Sequence, residues 1–333
     1  MPALLDNRRV VVVDDIASLS TAVTMMREAG ADVDVLPAEL DRTSALKRCV
    51  DASVIVTRLM RFADAEISAL RAARLIVRAG IGYDNVDVAA ATRSGIWVAN
   101  VPEFCLDEVA DHTMLLLLAC TRRLPQLLDK YRIDRGADVL DVPEIRRIRG
   151  RRLGVAGFGR IGRRVAARAA AFGWDVVATG PRLLPGTLLE PGVQAVSQDE
   201  MLHTSDALTL HCPLNKATRH FIDAVSLRNV KPGLTLVNTS RGGLVDLDAL
   251  YAAIVDGRVA AAGLDTLEGE PTPDFSHPIF QRPEVLVTPH VAWYSTEAVE
   301  DLARQVADEV MRVVGGGQPK NAINPAARSV SAI

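Results

Sequence analysis

The chain predicts an α/β fold built from two parallel-sheet units, each wound with helices on both faces. Short apolar segments alternate with helical patterns from Arg9 to about Val101, and the same alternation resumes at Arg152. The second run opens on Leu153 to Gly162, an apolar strand that breaks into Gly157, Gly159 and Gly162 and passes into a helical pattern. At 333 residues the chain is also longer than a single core usually supports.

In the first run, Arg9 to Asp14 holds four valines and reads as a buried parallel strand. A helix is expected over Ser18 to Ala29, with Ser18 or Ser20 as its cap and Gly30 as its stop. Strands are expected at Val33 to Leu36, Ser53 to Thr57, Leu75 to Val77 and Ile96 to Val98. The segment Asp107 to Arg132 reads as one long helix. Its Met114 to Leu118 portion is apolar nearly all round, so it must be buried on all sides, as a core helix, a linker between domains or a subunit contact. Its length and position favour the linker or the contact.

In the second run, strands are expected from Arg152 and at Asp175 to Thr179, Ala207 to His211, Leu234 to Val237, Ala260 to Leu264 and Val285 to Val287. A helical pattern covers Arg163 to Phe172. An amphipathic helix over Thr296 to Val314 ends at Gly315, Gly316 and Gly317 and returns to the first unit, leaving Ala326 to Ile333 loose.

The glycine spacing has a chemical reading. Gly157 permits a tight turn, Gly159 lets backbone approach a phosphate, and Gly162 lets the helix pack close to its strand. A pyrophosphate then meets the free N–H groups and positive end of that helix. The pattern fits a dinucleotide site, with an ordinary glycine turn as the alternative that the rest of the chain must decide.

Composition narrows the partners. The hydrophobic fraction is 49%, the charged fraction 24% and the formal net charge -3, which favours neither nucleic acid nor an anionic membrane. No apolar run reaches the ~18 residues of a membrane span, and Met1 to Asn7 lacks the features of a signal peptide, so a cytoplasmic protein is expected. Cys49, Cys105, Cys120 and Cys212 have no metal-ligand spacing and read as core thiols, so no metal is expected.

Three clusters fall at strand ends of the second unit, where open α/β sheets place their ligands. They are Val237 to Gly243 with Arg241, Asp265 to Pro271 with Glu268 and Glu270, and Thr288 to Trp293 with His290. Together they supply a forked cation for an anionic substrate, an imidazole that titrates near neutrality and a carboxylate to hold it.

These clusters, with Arg78 to Asp87 (RAGIGYDNVD) and Leu210 to Asn215 (LHCPLN), resemble the D-isomer-specific 2-hydroxyacid dehydrogenases. The likeness runs from about Leu75 to Asn324, and Pro289 to Ser295 with Arg78 resembles the branch containing the C-terminal-binding proteins. The resemblance implies two Rossmann-like doubly wound domains with the active site in the cleft between them. Residues 1–104 and 293–333 would bind substrate, and residues 105–292 would bind the dinucleotide. It also implies a homodimer through the coenzyme domain and the 107–132 helix.

By position, the resemblance makes Arg241, Glu270 and His290 catalytic. Arg241 would grip the substrate carboxylate, His290 would exchange a proton with the keto oxygen, and Glu270 would favour the charged imidazole. Coenzyme contacts would come from Gly157, Gly159, Arg160, Ile161, Gly162, Arg182, His211, Cys212, Pro213, Thr113, Thr239, Ser240, Trp293 and Asp265, the last facing the nicotinamide. Arg78, Ala79, Gly80, Ile81 and Trp293 would bind a small 2-oxo or 2-hydroxy acid, the loop from Ala79 to Gly82 through its amides. The cofactor would be NAD(P), with NADP(H) slightly favoured because Gly180 stands where NAD-preferring relatives carry an acid.

Two function classes fit this pattern, an oxidoreductase and a co-repressor-like dinucleotide sensor. The trio favours the enzyme, since a binding module needs none of it. Within enzymes, the short C-terminal end speaks against a phosphoglycerate dehydrogenase with a regulatory domain, and Glu270 against the formate dehydrogenases.

Overall fold

The computed structural model describes residues 8–14, 16–134 and 144–324, so the expectations for residues 1–7 and 326–333 lie outside the described residues. The chain divides into two compact units, one of Met1–Phe104 with Ser295–Ile333, the other of Cys105–Tyr294.

In the first unit, strands β1 (Arg9–Val12), β2 (Asp32–Val35), β3 (Val54–Thr57), β4 (Leu75–Arg78) and β5 (Trp97–Asn100) form a parallel sheet in the order β2-β1-β3-β4-β5. All four residues of β3 are buried, as a strand covered on both faces requires. Helices α1 (Ile16–Glu28), α2 (Arg42–Cys49), α3 (Asp64–Ser68) and α4 (Val88–Arg93) connect them. Helix α1 starts at Ile16, so Ser18 and Ser20 lie inside it and neither is its cap. Asp41 and Asp87 cap α2 and α4 by accepting from backbone N–H groups two residues into each helix.

The second unit opens with α5 (Leu106–Thr121) and α6 (Leu124–Asp134), so the stretch expected as one helix is two. The break falls at Arg122 and Arg123, where Arg123 takes a left-handed φ of 58°. Helix α5 is a core helix of this unit. Ala110, Met114, Leu116 and Leu117 pack into the same cluster as Leu153, Val155 and Val237, while Leu115 points outward. The all-apolar stretch therefore meets a sheet on one side and leaves little for a linker.

The sheet behind it comprises β6 (Arg152–Ala156), β7 (Asp175–Thr179), β8 (Leu188–Glu190), β9 (Val193–Ala195), β10 (Ala207–Leu210), β11 (Leu234–Asn238), β12 (Val259–Leu264) and β13 (Val285–Val287). Their order is β13-β12-β11-β10-β6-β7-β9-β8, parallel except for β8 against β9. Strands β8 and β9 are three residues each, too short to stand out in the sequence. Helix α7 (Arg160–Ala171) covers one face with α5, while α8 (Gln198–Thr204), α9 (Ala224–Arg228) and α10 (Leu247–Val255) accompany the strands from β9 to β12. The chain leaves β6 for β7 on one side and returns to β10 on the other, which makes the ends of β6 and β10 the switch point where such sheets bind ligands.

Helix α11 (Thr296–Val314), capped by Ser295, belongs to the first unit and packs on α1. Among the described residues no helix is long and apolar enough to cross a membrane.

If α5 is a core helix, Leu116→Ala lowers unfolding free energy by about 2–5 kcal/mol, the usual cost of truncating a fully buried leucine. Urea denaturation followed by circular dichroism measures this, and a loss under about 1 kcal/mol contradicts the placement.

Candidate active site

The glycine turn forms as its spacing requires. Gly157 has φ 96°, and a Cβ there would lie 2.6 Å from the backbone nitrogen of Cys212, so only glycine lets the ends of β6 and β10 meet. A Cβ on Gly162 would lie 2.2 Å from the Gly157 carbonyl oxygen. At Gly159 the same position faces open space.

Helix α7 begins at Arg160 rather than Arg163, with Gly159 as a cap that has no side chain to offer and no acid in the first turn. In its first turn the N–H groups of Ile161 and Gly162 have no carbonyl earlier in the helix to bond, which leaves them to meet an incoming anion. An open cradle before an uncapped helix end fits the pyrophosphate of a dinucleotide.

At the end of β11, Asn238 shapes the turn that carries Arg241. Its amide oxygen accepts from Ser240 N at 3.0 Å, and its amide nitrogen donates to the Arg241 carbonyl at 2.8 Å. The Ser240 hydroxyl donates to Leu210 O, tying this turn to β10. Gly242 then sits so close to the next strand's loop that a Cβ would fall 1.9 Å from the Leu267 carbonyl carbon. The loop with Arg241 and the loop with Glu270 thus pack backbone against backbone.

His290 follows β13 with a left-handed φ of 52°, a conformation that costs a non-glycine residue on the order of 1–3 kcal/mol unless its surroundings hold it. Its Nδ1 lies 2.6 Å from Glu270 Oε2, and Glu270 Oε1 accepts from Leu267 N at 2.8 Å. A carboxylate can only accept, so Nδ1 carries the hydrogen and Nε2 is the nitrogen not engaged by Glu270. Both side chains are partly open, at 37% and 29% exposure, so the pair can be reached from solvent.

Asp265 does not face outward as expected. Its side chain is fully buried: Oδ1 accepts from the Thr288 hydroxyl at 2.6 Å and from Val291 N at 2.9 Å, and Oδ2 from Ala292 N at 3.0 Å. Beyond β12 these are the donors within reach, and they lie on both sides of His290. Trp293 Nε1 donates to the His290 carbonyl at 3.0 Å, fixing the indole to the same loop.

Other expected coenzyme contacts are also interior. Thr113 is fully buried and donates to Val109 O, which leaves its oxygen to accept from Thr239, itself buried. The pair ties α5 to β11 instead of reaching outward. Burial pushes the His211 imidazole down to about 3, and its Nδ1 is sealed from solvent without a partner. His211 is thus an uncharged ring whose backbone lines the Gly157 contact. Burial also raises the Cys212 thiol to about 11, so it stays protonated. Pro213 and Arg182 are exposed.

In the first unit, Arg78 folds its guanidinium over Gly80, filling the place a Cβ would occupy. The amides of Ala79 and Gly80, expected to hold an anion, donate instead to Thr57 O and Arg78 O, because the chain there continues the strand pairing and turns tightly. Asn100 Nδ2 pins the Ile81 carbonyl at 2.6 Å. The amides of Ile81 and Gly82 donate to nothing among the described residues, so of the four amides in the expected loop these two stay open.

Sequence reading missed His112, Arg219 and His220, and it placed Glu268 in a cluster without a role. Glu268 accepts from Arg219 and from His220 Nε2, bracing the Glu270 loop against the segment after β10. Against a partial loss of solvent, those two hydrogen bonds hold the Glu268 carboxyl below its usual range. No spacing marks these residues, because each partner lies far away in the chain.

Residues 114–292 match the family model described as D-isomer specific 2-hydroxyacid dehydrogenase, NAD binding domain. The D-3-phosphoglycerate dehydrogenase of Mycobacterium leprae (strain TN) is 36% identical over 292 residues, which are 85% of this chain and 53% of that one. The chain thus spans about half the length of the curated relatives it matches. Among solved structures, a glyoxylate reductase from Paecilomyes thermophila is 29% identical with a TM-score of 0.87, over 96% of this chain and 99% of that one. An acyclic imino acid reductase in complex with NADPH and D-Arg is 27% identical with a TM-score of 0.85, over 95% of this chain and all of that one.

The His211 environment makes a stability prediction. An unfolded chain protonates this ring near pH 6.5, the folded one only near about pH 3, so folding stability present above pH 6.5 falls as pH drops through that window. His211→Asn removes the titration. The fall in Tm from about pH 7 to about pH 4 is expected to be shallower in the variant, and equal slopes contradict the burial.

Proposed function

The chain belongs to the D-isomer-specific 2-hydroxyacid dehydrogenase family, and from that membership we propose an oxidoreductase that interconverts a 2-oxo acid and its D-2-hydroxy acid with a nicotinamide dinucleotide. The observation that carries this reading is the contact of 2.6 Å between His290 Nδ1 and Glu270, which presents Nε2 at the same sheet edge as Arg241. A nicotinamide dinucleotide held at the Gly157 to Gly162 turn would supply the hydride that reduces the carbonyl carbon. Nε2–H of His290 gives its proton to the keto oxygen, and in the reverse direction Nε2 takes it back. Glu270 orients the ring and favours its charged form. Arg241 offers forked donors to the carboxylate and keto oxygen.

In the first unit the amides of Ile81 and Gly82 would bind a carboxylate near Arg78, and in the second unit Trp293 would offer a flat wall to a substrate's side chain. That favours a 2-oxo acid with an apolar, aromatic or second anionic group over glyoxylate. The exposed Leu115, Leu124, Leu128, Tyr131 and Ile133 of α5 and α6 support a homodimer through this unit.

Steady-state reduction of phenylpyruvate, oxaloacetate, phosphonopyruvate and glyoxylate tests the reading. His290→Gln and Arg241→Ala are expected to lower kcat/KM by about 10²- to 10⁴-fold with unchanged circular dichroism. Near-native rates in either variant refute the roles, and turnover of none of these acids favours the dinucleotide sensor. Glyoxylate as good as the other three sinks the substrate class.

For the coenzyme, NADPH is expected to serve at least as well as NADH. No carboxylate stands at Gly180 to bind ribose hydroxyls or repel a 2′-phosphate. Arg182 is exposed two residues on, with no partner among the described residues. A Cβ at Gly180 would meet only Leu183 carbons at 3.6 Å, so Gly180→Asp is tolerated and should move preference toward NADH. Arg182→Ala should reduce kcat/KM for NADPH alone. A wild-type preference for NADH of about tenfold or more, or an unaffected NADPH value in Arg182→Ala, overturns this.

A further inference from the structure

The loop that carries His290 meets a second histidine on its inner side. His112 projects from α5, whose neighbouring residues Ala110, Met114, Leu116 and Leu117 are core. Its side chain is 15% exposed, and Nε2 lies 3.0 Å from the Thr288 hydroxyl and 3.5 Å from Asp265 Oδ1. Thr288 has one hydroxyl hydrogen, and it lies toward Asp265 Oδ1 at 2.6 Å. The hydroxyl oxygen must then accept from His112, which places a hydrogen on Nε2. The chain of donors runs from His112 Nε2–H to Thr288 Oγ1–H to the Asp265 carboxylate.

That carboxylate is what brackets His290. It holds Thr288 on one side and Val291 and Ala292 on the other, around a residue in a left-handed conformation. The Asp265 carbonyl accepts from His290 N as well, at 2.9 Å. Without a donor at Nε2, Thr288 loses a partner and is free to rotate its hydroxyl away, and Asp265 keeps only the backbone N–H groups on the far side.

We propose that His112 is a positioning residue for the catalytic loop, orienting Asp265 through the Thr288 hydroxyl so that His290 stays aimed with Nδ1 on Glu270. The proposal rests on the reading of His290 as the proton-transfer residue, so its test includes a measurement that needs no substrate.

Imidazole NMR of the full chain reports the loop directly, since the chain holds six histidines and His290 can be assigned by its loss in His290→Gln. His112→Leu is expected to shift and broaden the His290 signals. His112→Gln, whose amide can donate from nearly the same place as Nε2, is expected to restore them. With the best 2-oxo acid, His112→Leu should lower kcat about tenfold or more while KM changes less than about threefold, and His112→Gln should recover most of the rate.

Thr288→Val breaks the same chain of donors and should act alike, and the double variant should be no worse than the poorer single one. Unmoved His290 signals in His112→Leu, failure of His112→Gln to restore them, or additive losses overturn the proposal. If His112→Leu does not fold, Thr288→Val decides by the same signals. Moved signals with no acid turned over would uphold the positioning role and refute the proposed reaction.

Discussion

A carboxylate closed off from water must find donors in the protein, and Asp265 finds them on both sides of His290. Leaving any of those donors unmet would cost on the order of 1–3 kcal/mol, comparable to the strain of the left-handed residue they enclose. The burial of one acid therefore keeps the histidine loop in a conformation its own backbone disfavours. Glu270 acts from the other side, open to solvent, and holds the ring rather than the backbone. One carboxylate sets where the loop runs, the other which way the imidazole points.

The loops around these groups are brought together by missing side chains. Gly157 lets β6 reach the end of β10, and Gly242 lets the Arg241 turn lie on the Glu270 loop. Each contact would be a collision for any residue with a Cβ. Five parallel strands, β6 and β10 to β13, thus end in one rim where an uncapped helix terminus, a guanidinium and an imidazole stand side by side along the sheet.

Much of this was legible in the residues. The strands of both sheets except β8 and β9 fell where apolar runs predicted them, and Arg241, Glu270 and His290 stood out because each follows a strand end. What misled was local pattern without knowledge of the neighbour. Met114 to Leu118 looked apolar enough for a linker, yet Leu115 is exposed and the rest faces a sheet. Ser18 and Ser20 had the chemistry of caps, but α1 was already under way. Strands β8 and β9 are three residues each at one end of the sheet, too short for their apolar residues to form a recognisable run.

By itself the sequence determined the winding of two α/β units, the glycine turn and the three chemical clusters, because periodicity, glycine spacing and strand-end position are local properties of the chain. Only the tertiary structure decided which polar groups look outward. Asp265, Thr113 and His211 have the composition of ligand contacts but turn inward, since their partners lie on elements distant in sequence. Likewise the amides of Ala79 and Gly80 are consumed by strand pairing that no single segment reveals. Whether a polar group is available for chemistry depends on what the folded chain has already bonded it to, and that is a property of contacts across the chain rather than of composition.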